Sequence, residues 1–235
     1  MSPVKLTRAS AVVFERIEPQ RHTADEESEI AAYWAAALDA NPRLFDGPVV
    51  VVRSVTWQRD TCLVRWSPGT YAHYLWRYVP GEHRFARILF ASAVLTTLDG
   101  KLLLGVTAPG TSEPGRLQLS GGNVEPPASG RPLTSEVVAE EAVRELAEET
   151  GVTLSRDTAE LWMVKEDGDY GDVGLFYRVP SLATAEIQEA FTRHRAELSA
   201  KKEFSEFESL AFVDVPNADD PRRCVDYLPD LLQRL

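Results

Sequence analysis

Cysteine, methionine and histidine are scarce in this chain, and basic residues are outnumbered. With Cys62 and Cys224 as its two cysteines, no disulfide framework is expected; the pair reads as buried or incidental thiols in a reducing, cytoplasmic setting. The four histidines, His22, His73, His83 and His194, show no metal-ligand spacing and read as incidental. No run of about 18 apolar residues occurs, so neither a transmembrane helix nor a membrane partner is expected. The opening stretch MSPVKLTRASAVVFERIEP has too short an apolar run, soon broken by charge, for a signal peptide. Lys and Arg total 25 against 36 Asp and Glu, a net charge of −11. Phosphate backbones are bound by basic surfaces, so no nucleic acid partner is expected. The same acidity constrains a smaller phosphate ligand, which must be met by local arginines or by metal.

What is present is an ordinary globular composition, 44% hydrophobic and 26% charged over 235 residues, enough for one large domain or two small ones. TADEESEIAAYWAAALDANP predicts a helix with Thr23 as N-cap, Glu26 closing a capping box and Asn41-Pro42 ending it. Its apolar stripe is Ile30, Trp34, Ala37 and Leu38. PVVVVRSVTW and TCLVRW flank the turn QRD and predict a hairpin, and TYAHYLWRYVP a short aromatic helix. ARILFASAVLTTLDGKLLLGVTA reads as two strands joined as a hairpin at Asp99-Gly100, and GRLQLSGG as another short strand. Strands at ELWMVKE, VGLFYRVP and SLAFVDVP and helices across TAEIQEAFTRHRAELSA and YLPDLLQRL complete the pattern, with no internal repeat.

The segment RELAEETGV, within a helix that ends at Gly151, is electrostatically odd. Val138, Ala139, Ala142, Val143 and Leu146 form an apolar stripe, while Glu141, Glu145, Glu148 and Glu149 fill the stripe beside it. Like charges at i, i+3 and i+4 near the negative end of the helix dipole cost on the order of a few tenths of a kcal/mol each. A solvated acidic face usually interleaves Lys or Arg. Hard divalent cations remove the penalty, and Mg²⁺ binds carboxylates and substrate phosphates together.

These residues resemble the Nudix hydrolase family, whose box reads G-x5-E-x7-R-E-U-x-E-E-x-G-U with U aliphatic. Gly130, Glu136, Arg144, Glu145, Leu146, Glu148, Glu149, Gly151 and Val152 match it in full. The family's glycine, however, normally closes a Pro-Gly-Gly stretch followed by a glutamate, which here resembles SGGNVE with serine in place of proline. Thirteen residues separate Gly122 from Glu136 where the box has five, so the loop is longer by eight, PPASGRPL. The carbonyl metal ligand is therefore carried onto Gly122 rather than Gly130.

The resemblance implies an α/β fold: an α/β/α sandwich around a mixed sheet, with an N-terminal helix plus β-hairpin extension. Residues 1–85 would be that substrate-binding extension and 86–235 the hydrolase domain. It implies Mg²⁺, with Mn²⁺ as the alternative, held by Glu145, Glu148 and Glu149, one of which also serves as base. Arg144 resembles the arginine that orients them, and Glu136 looks structural. Of Glu203, Glu206 and Glu208 ahead of the last strand, counting back from Phe212 favours Glu206 as a further catalytic carboxylate. The loop EDGDYGD is a second source of acid, or a flexible cover.

A narrower resemblance lies upstream. Tyr33 to Trp57, Ser67 to Leu75 and the long insertion after the double glycine are similar to UDP-sugar-hydrolysing members of the family, which implies a UDP-sugar cut to UMP and sugar 1-phosphate. Phe45 and Tyr71 are candidates to stack on a base, and Arg116 to meet a phosphate, with ordinary packing or solvation as the alternative for each. Competing readings are the same chemistry on ADP-ribose, a dinucleotide or a nucleoside triphosphate, and a non-catalytic binding module. The last normally loses box glutamates, which this chain keeps. The expected partner is a small nucleotide-sugar, with homo-oligomerisation left open.

Overall fold

The computed structural model describes residues 3–78, 86–128, 131–169, 171–214 and 223–235. Two strands that the sequence reading does not foresee open it, β1 (Val4–Arg8) and β2 (Ala11–Arg16). Helix α1 (Ala24–Ala40) starts with the expected capping box: the Thr23 side chain accepts from the Glu26 N–H, and Glu26 reaches back to the Thr23 N–H at 2.7 Å. Asn41 is its C-cap. The hairpin β3 (Pro48–Gln58) and β4 (Thr61–Thr70) forms as expected and leads into the short helix α2 (Tyr71–Trp76). Val49 to Val52 are each at most 3% exposed, because both faces of β3 are covered there.

Strands β5 (Arg87–Val94) and β6 (Lys101–Thr107) follow, then β7 (Leu117–Gln118) and β8 (Gly121–Asn123). The hairpin expected at Asp99-Gly100 needs correction. The chain does turn there, with Gly100 at φ +85, an antiparallel bridge Thr96–Leu102 and a Leu103 N–H to Leu95 O bond of 2.9 Å. Beyond that tip the arms part, β5 into one sheet and β6 into another. GRLQLSGG likewise divides: β7 pairs with β6, while β8 pairs with β5. A local turn signal sets a reversal of direction but not the partner of each arm.

Helix α3 (Ser135–Thr150), β9 (Glu160–Asp167), β10 (Val173–Arg178), α4 (Thr184–Lys201), β11 (Phe207–Asp214) and α5 (Leu228–Leu232) complete the described chain. The large mixed sheet runs β1-β9-β10-β5-β3-β4-β2, with β8 beside β5; the small one runs β11-β6-β7. Only Ala9 and Ser10 separate β1 from β2, yet these strands lie at opposite ends of the large sheet. The sheet must therefore curl until its ends are a two-residue step apart. Ala9 donates its N–H to Trp162 O at 3.4 Å and Ser10 to Asp60 O at 2.9 Å, one contact on each end.

Val50, Val52, Val64 and Trp66 fill the concave side with Leu89, Leu175 and the Val138-Ala139-Ala142 face of α3. On the other side, Leu102, Leu104 and Trp162 pack against Leu228, Leu231 and Leu232. Helices thus cover a mixed sheet in the expected α/β/α arrangement, and the N-terminal hairpin continues the large sheet through Val51–Ile88 and Val52–Arg87 pairing.

Candidate active site

Helix α3 is anchored at both ends. Thr134 caps its start by accepting from Val137 N–H, and hydrogen bonding with Thr134 holds the pKa of first-turn Glu136 below its usual value. Gly151, at φ 75, ends it. A Cβ on Gly151 would lie 2.6 Å from His194 Cβ and 2.8 Å from Ala190 O, so α4 approaches where only glycine fits. His194 is more than incidental: its Nε2 lies 2.7 Å from the carbonyl oxygen of Glu148, tying α4 to the last turn of α3.

The acidic face divides by depth. Arg144 gathers the outer carboxylates, bonding Glu145 Oε1 at 2.6 Å and also Glu141 and Glu148. Glu149 points inward and is 4% exposed. Its Oε2 accepts from Ser120 Oγ and from the Gly121 N–H at 3.0 Å, while Oε1 is buried with no hydrogen-bond partner among the described residues. Ser120 therefore holds a carboxylate that proline could not. Its Oγ also reaches Glu145 O at 3.3 Å.

The glycine pair sits where two elements nearly touch. A Cβ on Gly121 would be 2.3 Å from Ala91 O, and one on Gly122 would be 2.5 Å from Glu145 Oε1. Gly122 thus lies against the acidic face, whereas Gly130 falls outside the described residues.

Burial, against the pull of Arg144, and the neighbouring Glu141, Glu148 and Glu206 push the Glu145 carboxyl up to about 7. Burial raises Glu149 well above the usual range, opposed by the Ser120 hydrogen bond. Glu206, on the loop before β11, is open at the rim, yet protein crowding its carboxyl and the charge of Glu148 raise its pKa too. Its backbone is fixed by Ala108 N–H to Glu206 O at 2.8 Å. Glu145, Glu148, Glu149 and Glu206 therefore form one interacting set, while Glu203 and Glu208 are exposed.

A cavity of about 420 Å³ opens beside Gly121 and Gly122. Tyr71 and Arg116 both line it. Tyr71 leans on Tyr74, with ring centroids 5.5 Å apart, and meets Trp34 edge-on at 6.4 Å. Arg116 donates from Nη2 to Gln118 Oε1 at 2.9 Å, and its Nε is buried without a partner. Phe45 does not line the cavity and is 77% exposed.

The NUDIX domain pattern matches residues 87–228, more than half of the chain. The chain belongs to the Nudix family. Solved structures similar to it include the MutT protein from Methanosarcina mazei Go1, 17% identical over 63% of this chain and 91% of that one, TM-score 0.43. DR0079 from Deinococcus radiodurans is 18% identical over 80% of this chain and 98% of that one, TM-score 0.44. RenU, a Nudix hydrolase from M. smegmatis, is 16% identical over 62% and 81%, TM-score 0.35. No curated protein sequence matches the chain. Among the described residues no helix is long and apolar enough to cross a membrane.

Nudix enzymes generally use divalent metals. Among the described residues no group of three or more His, Cys, Asp or Glu side chains is arranged to hold such an ion, since Arg144 draws Glu145 and Glu148 to itself. The donor chemistry nevertheless fits: hard carboxylate oxygens, one of them the partnerless buried Oε1 of Glu149, beside a glycine pair.

Sequence reasoning passed over Ser120 as a loop residue and did not single out Arg77, Lys165 or Asp226. Asp172, within the acidic loop EDGDYGD, is a buried structural anion. It pairs with Arg77 at 2.8 Å and accepts from Tyr74 OH at 2.7 Å and Ile88 N–H at 3.1 Å. Its acidic neighbours gave no sign of this, because its partners lie far away in sequence. Tyr170 of that loop is outside the described residues.

Proposed function

We propose that this Nudix protein hydrolyses the pyrophosphate bond of a nucleoside diphosphate-sugar, a UDP-sugar first among them, giving UMP and sugar 1-phosphate. The observation that carries the reading is the junction of the cavity with the glutamate set at Gly121-Gly122, where Glu145 abuts Gly122 and Glu149 is held by Gly121. A diphosphate lying across the glycines would have its organic end in the cavity and its bridging oxygens against the carboxylates. The choice of UDP-sugar rests on the upstream resemblance alone.

In this reading residues 1–85 act as a substrate-binding extension, because Tyr71, Tyr74 and Leu75 of α2 form one wall of the cavity. Tyr71 offers a stacking face and the Arg116 guanidinium, which also lines the cavity, a donor to a phosphate oxygen. Glu145, Glu148, Glu149 and the Gly122 carbonyl would hold Mg²⁺ or Mn²⁺, competing with Arg144 for the outer glutamates. When bound, the cation neutralises the diphosphate and lowers the pKa of the attacking water. Glu206 is the carboxylate best placed to take that water's proton, since it accepts no hydrogen bond among the described residues. Two free thiols accord with a cytoplasmic setting.

The test is product identification after incubating the protein with Mg²⁺ and UDP-glucose, ADP-ribose or UTP. UMP with glucose 1-phosphate, formed faster than AMP from ADP-ribose, is the expected result. Faster turnover of ADP-ribose overturns the UDP-sugar assignment but leaves the hydrolase. No cleavage of any substrate with Mg²⁺ or Mn²⁺ overturns the hydrolase reading.

A further inference from the structure

The cavity poses a charge problem. A diphosphate ester is anionic, yet Glu113, Asp172 and Asp226 all line the space it would enter. Each of these three is paired with a cation, Glu113 with Arg223 at 2.9 Å, Asp172 with Arg77 at 2.8 Å and Asp226 with Lys165 at 3.2 Å, and the fourth acid of the lining, Asp169, is exposed to solvent. A neutralised carboxylate no longer repels an anion but still accepts hydrogen bonds. Asp172 has spent that capacity on Tyr74, Arg77 and Ile88.

Asp226 has not. Both donors that reach it, the Asp169 N–H at 3.0 Å and Lys165 Nζ at 3.2 Å, bind the same oxygen, Oδ2. Oδ1 takes no hydrogen bond among the described residues. The group is also held still: a Cβ on Gly168, which sits at φ +85, would lie 2.1 Å from Oδ2. Lys165 is 2% exposed and divides its three protons among Asp226, Asp167 O at 2.7 Å and Asp172 O at 3.3 Å. It has none left for a ligand, and the Asp169 N–H is likewise taken.

We propose that Asp226 is a specificity-determining residue that accepts a hydroxyl of the substrate's sugar ring, a role that rests on the nucleotide-hydrolase reading above. The surroundings select a hydroxyl over a base edge. A pyrimidine or purine edge sets a carbonyl or ring nitrogen beside its N–H, and the two donors held against Asp226, Lys165 Nζ and the Asp169 N–H, are both already taken. A hydroxyl needs an acceptor alone. Tyr71, Tyr74 and Tyr78 supply apolar ring faces in the same cavity. The hydroxyl belongs either to the nucleoside ribose or to the sugar beyond the diphosphate, and the two share this chemistry.

The experiment is calorimetric binding of UDP-glucose, UTP and 2′,3′-dideoxy-UTP in EDTA to wild type and Asp226→Asn, with turnover under Mg²⁺ in parallel. Asn keeps an oxygen for the two Oδ2 donors and replaces the ionised acceptor at Oδ1 with an amide donor. Removal of one negative charge acts alike on UTP and dideoxy-UTP, and the methyl ester of UDP, titrated in the same way, is the charge-matched reference for UDP-glucose, so the ratio of affinities is read within each pair. Hydrogen bonds to charged groups exceed neutral ones by enough to lower the relevant ratio about tenfold in the variant. A fall in UTP over dideoxy-UTP places the contact on the ribose. A fall only in UDP-glucose over the methyl ester of UDP places it on the far sugar. Both ratios unchanged, with the variant folded, overturns the proposal. If the variant does not fold, Asp226→Ser is read by the same two ratios, and a wild type that shows less than about a twofold preference within both pairs overturns the proposal. Binding without any turnover under Mg²⁺ overturns the hydrolase reading alone, and wild type that neither binds nor cleaves the nucleotides overturns both.

Discussion

Two acidic regions of this protein handle charge in opposite ways. On α3, Arg144 alone meets Glu141, Glu145 and Glu148, while Glu149 is buried with one oxygen unpartnered. In the cavity that adjoins Gly121 and Gly122, Glu113, Asp172 and Asp226 each have a cation of their own. The first region is under-neutralised, and burial holds the carboxyls of Glu145 and Glu149 above their usual range; the three named carboxylates of the second are each paired within the chain. Negative charge left without a counter-ion invites one from solution, whereas charge matched internally serves shape and hydrogen bonding. The two regions meet at Gly121-Gly122, so a ligand's phosphates and its organic groups face different electrostatics.

The sharpest way to break that contrast is Glu149→Gln. It retains the oxygen that accepts from Ser120 and Gly121 and removes the charge from the orphaned position. Activity with Mg²⁺ should fall by about a thousandfold, roughly 4 kcal/mol. The melting temperature in EDTA should hold or rise, and the Mg²⁺-induced rise seen in wild type should shrink. Full activity and an unaltered Mg²⁺ shift would make α3 a solvated face.

On the balanced side the prediction is reversed. Asp172→Ala leaves Arg77, 7% exposed at its side chain, as a buried cation without its carboxylate. Stability should drop by about 3–5 kcal/mol with or without Mg²⁺, read by denaturant unfolding. A loss that Mg²⁺ repairs would place Asp172 with the α3 glutamates instead.

At the junction, Gly122→Ala drives a methyl into the Glu145 carboxylate. The side chain can swing aside, so folding should survive while turnover falls about 10- to 100-fold. Gly130→Ala should be mild. Equal losses at both positions would return the carbonyl ligand to Gly130.

The smallest effect concerns pH. Burial, with His22 and Arg53 nearby, lowers the pKa of His73 in α2 from 6.5 to about 4. Its folded pKa lies below its unfolded one, so its share of stability is present above pH 6.5 and is lost as pH falls toward 4. His73→Phe should blunt the fall in melting temperature between pH 6.5 and 4, measured in EDTA; identical profiles would show that His73 takes up its proton over the same pH range folded and unfolded.

Much of the candidate site was legible because it is local. Glu145, Glu148 and Glu149 share a face for reasons of helical period, and Thr23 and Gly151 cap by rules spanning three or four residues. The NUDIX match covers that same stretch. Phe45 and Tyr71 looked alike as aromatic candidates, yet only Tyr71 reaches the cavity. Composition cannot distinguish them, since the difference lies in which residue α1 and α2 pack against.

From sequence alone came the acidic helix, its end at Gly151, the hairpin β3–β4 and the family box, because each depends on hydrogen bonds or side-chain spacing within a few residues. Only the tertiary structure decided that β1 and β2 close the curled sheet from its two ends and that β5 and β6 part company after their turn. It alone joined Arg77 to Asp172 across 95 residues and set Asp226 against Lys165. Such pairs carry no local signature: a carboxylate's sequence neighbours are silent about which cation the folded sheet brings to it, and that partner determines whether its charge is spent within the chain or left for a ligand.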